Sequence, residues 1–147
     1  MIWIGIDPGA KGGYAWIWGD VVRAMPWDDT FFTQDMQCLK ATGEPLVAAV
    51  EKVGARPGQG VTSMFSFGRS AGYIEGVLAA LGIGYQLVPP ATWKREYSLI
   101  GKDKRASVEA CRRLFPDVDL KRTEKCRTDS DGKAEALLIA EWGRRRL

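Results

Sequence analysis

The chain has 147 residues, of which 46% are hydrophobic, and its formal net charge is +3. A chain of this length predicts one compact domain, residues 1–147, with a substantial core. No apolar run approaches the roughly 20 residues of a membrane span. The chain contains no histidine, which excludes Ser-His-Asp catalysis, Cys-His catalysis and every histidine-ligated metal. Chemistry must rest on carboxylates, lysines, hydroxyls or thiols, and an oxygen-ligated metal would be Mg²⁺ or Mn²⁺.

Cysteine use and charge distribution bear on the compartment and the partner. Cys38, Cys111 and Cys126 are odd in number and lack metal-like spacing, which indicates free thiols and hence a cytoplasmic protein. Residues 1–93 carry six Lys and Arg against eight Asp and Glu, whereas residues 94–147 carry fifteen against ten. The basic C-terminal third favours a polyanionic partner, although ordinary solvated helix faces would give the same composition.

The first predicted strand ends on a carboxylate. Every second residue from 2 to 6 is isoleucine, which predicts a β-strand that ends at Asp7. Turn residues follow at 8–13, and the segments 14–18 and 21–25 complete an antiparallel meander. Asp7 lies beside glycine-rich backbone that can approach a phosphate or a metal, but a simple turn cap would use the same residue.

A helix and a buried strand come next. Asp29 or Thr30 can cap a helix that runs to about Thr42. The segment 46–50 is apolar at every position, which predicts a central strand parallel to the first one. That strand ends on Glu51, so we expect Asp7 and Glu51 to emerge side by side at one edge of the sheet. The residues expected to be buried in the helix include Phe31, Met36 and Leu39.

The middle of the chain contains a glycine-rich loop and a long helix. The loop, residues 52–62, includes Lys52 and Arg56, and a helix is predicted from Ser63 to about Leu81. Glycines at 68, 72 and 76 form one stripe on this helix. Because each glycine costs a helix about 1 kcal/mol relative to alanine, we expect the stripe to pack closely against another helix or the sheet.

A fifth strand is predicted at 84–88, followed by a short helix with Trp93 and Lys94. Asp103 caps another helix that stops before Pro116. Its expected inward residues are Val108, Cys111, Leu114 and Phe115, and its expected outward residues are Arg105, Arg112 and Arg113. Residues 117–128 lack periodicity and predict a mobile loop that carries Lys121, Arg122, Lys125 and Arg127.

The last helix is predicted to begin near Ser130 and carries an acidic pair. Asp131 and Glu135 lie four residues apart and therefore share one face of its first turns. Such a pair is repulsive, which a bound divalent cation would relieve. Ordinary first-turn acidity, which the helix N-terminus favours, remains the other interpretation.

The ordered motifs resemble those of RuvC-type Holliday junction resolvases of the RNase H-like superfamily, especially their phage and prophage branch. The resemblance spans nearly the whole chain and predicts an α/β fold with a mixed five-stranded sheet flanked by helices. The matching segments are IGIDPGAKGG (4–13), VE (50–51), the helix around FGRSAG (67–72), VPPATWK (88–94), DK (103–104), LFP (114–116) and DGKAEALLIA (131–140).

The resemblance implies specific roles. It assigns the four carboxylates Asp7, Glu51, Asp131 and Glu135 to two Mg²⁺ or Mn²⁺ ions, with Lys104 as a further catalytic residue near the scissile phosphate. The implied substrate is a four-way DNA junction, which a homodimer would bind and cut by two-metal phosphodiester hydrolysis. The residues expected to contact DNA are Lys94, Lys104, Lys52, Arg56, Phe65, Phe67, Lys121 and Arg122.

Two positions depart from the family pattern. Many bacterial members place two Asp three residues apart on the last helix, whereas residue 132 here is Gly, so the first ligand could instead be Asp129. The bacterial enzyme also has an aromatic residue shortly after the strand-four glutamate, where this chain has Gly54. Phe65 or Phe67 is only a loose substitute for that stacking residue.

Other functions remain compatible with these motifs. An RNase H-like nuclease on RNA–DNA hybrids and a debranching nuclease on flaps or forks would keep the fold and change the substrate. The turn after Asp7 also resembles the phosphate loop of actin-like ATPases, but those need two such domains. A non-catalytic junction-binding module is a further alternative, against which the presence of all four carboxylates argues.

Overall fold

The computed structural model describes all residues from Met1 to Leu147 and contains one five-stranded mixed sheet flanked by five helices. The strands are Ile2–Asp7 (β1), Gly13–Trp18 (β2), Val21–Pro26 (β3), Leu46–Glu51 (β4) and Gly84–Val88 (β5). The helices are Asp29–Ala41 (α1), Val61–Ala80 (α2), Pro90–Glu96 (α3), Lys104–Leu114 (α4) and Asp131–Arg146 (α5). This architecture confirms the predicted fold class. No helix combines the length and the apolar character needed to cross a membrane.

The register of the sheet places two strand ends next to each other. The strand order is β3-β2-β1-β4-β5, with β1 antiparallel to β2 and parallel to β4. Ile6 of β1 is paired with Val50 of β4, so the residues that follow them, Asp7 and Glu51, leave the sheet at the same edge. The predicted parallel crossover between these strands is therefore present.

The alternation of β1 divides the core into two layers. Ile2, Ile4 and Ile6 are buried with α1 and the C-terminal half of α2, on one face of the sheet. On the other face, α5 is buried at every position from Gly132 to Gly143. Gly5 permits this close approach, because a Cβ there would lie 2.1 Å from the backbone oxygen of Ala136. The bare backbone of β1 thus sets how closely α5 lies to the sheet.

The buried faces of two helices differ in part from the prediction. Asp28, rather than Asp29 or Thr30, caps α1 by accepting a hydrogen bond from the backbone N–H of Phe31. The buried stripe is therefore Phe32, Met36 and Leu39, and Phe31 is 58% exposed. In α4 the buried residues are Ser107, Ala110 and Cys111. Val108 and Phe115 pack partly buried against the same core, as predicted, whereas Leu114 is exposed.

The glycine stripe of α2 does not pack as predicted. A Cβ at Gly68, Gly72 or Gly76 would meet no atom within 4 Å. Only Ile74 and Leu78 of this helix are buried, because its C-terminal half contacts the sheet and its N-terminal half extends beyond it. The prediction that another helix or the sheet covers the stripe is wrong for this chain taken alone.

The segment between α4 and α5 contains no helix or strand, as predicted, and it is anchored to the core near both of its ends. Its Leu120 is fully buried, and the buried Lys133 of α5 donates from Nζ to the backbone oxygen of Lys121 at 2.7 Å. Arg112 of α4 donates from Nε and Nη2 to one carboxylate oxygen of Asp129, at 3.1 and 3.0 Å. Arg112, expected to point outward, therefore fastens the end of this segment.

Candidate active site

An open cleft of about 1530 Å³ lies where β1 and β4 end, and it contains most of the predicted site. Asp7, Glu51 and Glu135 all line it, and they come from β1, β4 and α5. The polar face of the N-terminal half of α2 forms another wall, and the start of α4 a third. Sequence-distant carboxylates therefore meet in one solvent-accessible space.

Asp7 is the carboxylate at the bottom of this cleft. The turn after it contains Gly9 with φ of +119°, a conformation that favours glycine. A Cβ at Gly9 would also lie 3.2 Å from the ring of Phe67, which covers the turn. Burial, and then the charges of Glu135 and Glu51, raise the pKa of Asp7 well above its usual value, and Lys104 opposes part of that rise.

Glu51 is held by a buried indole. Nε1 of Trp93, a fully buried side chain of α3, donates to Oε2 of Glu51 at 2.8 Å. Burial raises the pKa of Glu51, whereas this hydrogen bond and the nearby charges of Lys94 and Arg56 lower it. Trp93 therefore fixes one oxygen of the carboxylate and leaves the other free to bind a cation.

Glu135 is held in a similar way by a hydroxyl. Ser107 of α4 donates from Oγ to Oε1 of Glu135 at 3.0 Å, and both side chains are buried. One turn earlier on α5, Oδ2 of Asp131 forms an ion pair with Nζ of Lys104 at 2.9 Å. This contact with Asp131 is the main reason that the pKa of Lys104 is raised. Two residues of α4 thus hold the two acidic residues of α5.

The donor chemistry of the cleft fits a hard divalent cation, but the carboxylates do not close around one point. Carboxylate oxygens are the ligands that Mg²⁺ and Mn²⁺ prefer. In this arrangement no three acidic side chains lie close enough together to hold an ion jointly. Three of the four carboxylates, those of Glu51, Glu135 and Asp131, instead each contact another protein side chain.

Two observations bear on the departures from the family pattern. Asp129, the alternative ligand, is bound to Arg112 and is absent from the charges that act on Asp7. A Cβ at Gly132 would lie 2.2 Å from the backbone oxygen of Lys11, because the first turn of α5 abuts the β1–β2 turn. This chain cannot carry a side chain at 132, which leaves Asp131 and Glu135 as its acidic pair.

The residues predicted to contact DNA lie in three places. Lys52, Arg56, Phe67, Lys94 and Lys104 line the cleft together with the carboxylates. Phe65 is 72% exposed and lies outside the cleft lining. Lys121 and Arg122 line a separate groove of about 970 Å³, and Nη2 of Arg122 donates to the backbone oxygen of Ala10 at 3.3 Å. Arg122 thus contacts the turn that follows Asp7.

Sequence reasoning missed the positioning roles of Trp93 and Ser107. Trp93 was assigned to a short helix without a functional role, and no role was predicted for Ser107. The only signal for Ser107 was that this polar residue lies one turn before Cys111, on the face of α4 predicted to be buried. Both contacts join residues distant in sequence, by 42 positions for Trp93 and Glu51 and by 28 for Ser107 and Glu135.

Comparisons with known proteins establish the fold class. No protein-family model and no curated protein matches this sequence. Among solved structures, the chain is similar to the Thermus thermophilus RuvC structure, at 16% identity and a TM-score of 0.56, over 99% of this chain and 96% of that one. It is also similar to T. thermophilus RuvC in complex with Holliday junction substrate, at 15% identity and a TM-score of 0.61, over 95% and 90%. The chain therefore has the RNase H-like fold of RuvC, and the resemblance seen in the motifs is confirmed at the level of the fold.

Proposed function

We propose that this protein is a divalent-metal-dependent endonuclease of the RuvC type that resolves four-way DNA junctions. The observation that carries the proposal is the meeting of Asp7, Glu51 and Glu135 in one cleft, with Asp131 beside it, in a fold shared with RuvC. The lysines and arginines around the same cleft suit a phosphate backbone. One of the two similar structures is a complex with Holliday junction substrate.

The four carboxylates would hold two Mg²⁺ or Mn²⁺ ions. Ions bound there would activate water for attack on a phosphodiester and stabilise the oxygen that leaves. Trp93 and Ser107 orient Glu51 and Glu135 through the hydrogen bonds described above. Lys104 and Lys94 place positive charge where the phosphate gains negative charge in the transition state.

The architecture we propose has two copies of this chain. Residues 1–147 would form one nuclease domain, and a two-fold homodimer would match the two symmetric strands that a junction presents. The uncovered face of α2 that bears Gly68, Gly72 and Gly76 is the contact surface we propose for this dimer. Lys52, Arg56, Phe65, Phe67, Lys121 and Arg122 would contact the DNA arms.

A substrate panel tests this proposal against the related activities. We would measure Mg²⁺-dependent cleavage of an immobile four-way junction, a 5′ flap, a replication fork and an RNA–DNA hybrid of matched sequence. The proposal expects the junction to be cut fastest, with paired nicks in strands of like polarity. Faster cleavage of the hybrid or the flap would favour the corresponding alternative, and tight binding without cleavage of any substrate would favour a junction-binding module.

A further inference from the structure

The ion pair between Lys104 and Asp131 differs from the other contacts of the cleft. Of the four carboxylates assigned to the metals, only Asp131 has a cation within ion-pair distance, at 2.9 Å. The Lys104 side chain is 71% exposed and that of Asp131 is 33% exposed. A pair this exposed is held only weakly, since solvent screens the attraction and the lysine loses rotamer freedom. The contact is therefore easily exchanged for a stronger one.

Lys104 also lies close enough to the other carboxylates for its charge to matter. It is the first residue of α4, directly after the cap Asp103, and it lines the cleft with Asp7 and Glu135. In a partly buried site, carboxylates that repel one another gain most from the nearest positive charge. Without a metal, the ammonium of Lys104 supplies that charge.

We propose that Lys104 serves as the resident cation of the metal-free cleft, from which a divalent ion must take Asp131. The inference rests on the proposed metal site and goes beyond it, because it makes Lys104 a competitor of the metal. It also accounts for the fact that no three carboxylates converge, since Lys104 holds Asp131 at α4. Once displaced, the ammonium is free to bind the phosphate, so that metal loading and phosphate binding are coupled through one side chain.

This proposal makes a prediction opposite to that of the simpler roles of Lys104. If the lysine acted only on the phosphate, its removal would leave metal binding in the absence of DNA almost unchanged. If it were a structural support for α5, its removal would weaken metal binding. As a competitor, its removal must strengthen metal binding even though cleavage falls.

The test is calorimetric titration of Mn²⁺, without DNA, into the wild type, Lys104→Met and Lys102→Met. Lys102 lines the same cleft and is exposed but forms no ion pair, so its replacement removes the same charge without releasing Asp131. We expect Lys104→Met to bind Mn²⁺ about twofold to fivefold more tightly than Lys102→Met, the range for losing a weak competing ion pair. Equal affinity of the two variants, or weaker binding by Lys104→Met, would overturn the proposal.

A second measurement uses the wild type and requires no variant to fold. The side-chain ammonium resonance of Lys104, followed by NMR during a Mg²⁺ titration, should shift to the position of a free lysine at the metal concentration that saturates the site. An unchanged resonance at saturation would also overturn the proposal. Failure of the proposed function is recognised separately: Mn²⁺ binding that is absent, or that Asp7→Asn leaves intact, would remove the metal site itself.

Discussion

Asp7 is a carboxylate whose ionisation the fold opposes. Burial and the charges of Glu135 and Glu51 raise its pKa in the folded protein above its value in the unfolded chain, near 4. Because the folded-state pKa is the higher one, the contribution of Asp7 to the free energy of unfolding is largest at low pH. That contribution is lost as the pH rises through the folded-state pKa. Above that folded-state pKa, and without a metal, the ionised Asp7 therefore destabilises the molecule.

Asp7→Asn should accordingly raise the melting temperature in EDTA at pH 8, by about 2–4 °C for each kcal/mol of relief. The gain should shrink as the pH is lowered below about 4, the unfolded-state pKa of an aspartate, because Asp7 then becomes protonated in both states. Thermal unfolding of both proteins across this pH range measures the effect. A variant that is less stable than the wild type at pH 8, or equally stabilised at every pH, would contradict this account of the cleft.

The hydrogen bond from Ser107 to Glu135 gives a second test at this scale. Removing a partner from a buried charged group costs roughly 1–3 kcal/mol of unfolding free energy, so Ser107→Ala should be destabilised by about that amount in urea. Losing a group that orients Glu135, a proposed metal ligand, should also weaken Mn²⁺ binding about tenfold or more. Ser66→Ala, at an exposed serine of the same cleft, is the matched control and should stay within about 0.5 kcal/mol. Indistinguishable behaviour of the two variants would remove Ser107 from the site.

The sequence predicted the positions of Asp7 and Glu51 because each is the last residue of a strand. Parallel neighbouring strands bring such ends to one edge, so strand pattern alone sufficed. Trp93 and Ser107 were beyond this reasoning, because their contacts depend on how α3 and α4 pack over the sheet. The local spacing of residues does not encode that packing.

Among the elements, α5 is the one that the sheet constrains most closely. Gly5 on β1 meets the backbone of α5, so Gly5→Ala would force a Cβ against Ala136 and Ala140. Backbone cannot move aside as a flexible side chain does, and we expect a loss of about 3 kcal/mol or more in unfolding free energy, or no folded protein. Far-UV circular dichroism and urea unfolding measure it. A well-folded Gly5→Ala with wild-type stability would show that α5 lies farther from the sheet.

On the uncovered stripe of α2, replacing a glycine by alanine should stabilise the fold, whereas the same change at Gly5 should destabilise it. Gly72 lies in a helix with open space around it, so Gly72→Ala should stabilise the isolated chain by about 1 kcal/mol through helix propensity. If a second chain packs on this stripe, the added methyl group should instead weaken the dimer. Urea unfolding over a range of protein concentrations, with sedimentation to give the mass, separates these effects. A destabilised variant that is monomeric throughout would contradict the open α2 surface.

Strands were predicted better than helix faces. The run 84–88 was assigned as a strand with the bounds that β5 has, whereas Phe31 was placed on the wrong side of α1. Strand ends follow from alternation and turn residues, but the buried stripe of a helix depends on where its cap lies. The prediction that the glycine stripe of α2 is covered was wrong for another reason. Its glycines suggested a packing partner that one copy of the chain does not supply.

At the scale of the whole molecule, the fold was predicted from the order of the strands and helices along the chain. A meander, a helix, a buried strand and later helices, with carboxylates on β1, β4 and α5, predicted the RNase H-like fold, although identity to the similar RuvC structures is only 15–16%. Close packing of α5 on β1 and the cleft at the strand ends follow from that order. The carboxylates that line this cleft and the basic residues that flank it are consistent with the function we propose, cleavage of a DNA phosphodiester.

The most direct test of that claim is single-turnover nicking of an immobile four-way junction by the wild type and Asp7→Asn, with Mg²⁺ and with EDTA. We predict paired nicks by the wild type only when Mg²⁺ is present. Asp7→Asn should bind the junction as tightly as the wild type and leave it uncut, because the basic surface that we propose contacts phosphates is unchanged. Cleavage in EDTA, cleavage by Asp7→Asn at the wild-type rate, or an uncut junction with the wild type and Mg²⁺ would contradict the account.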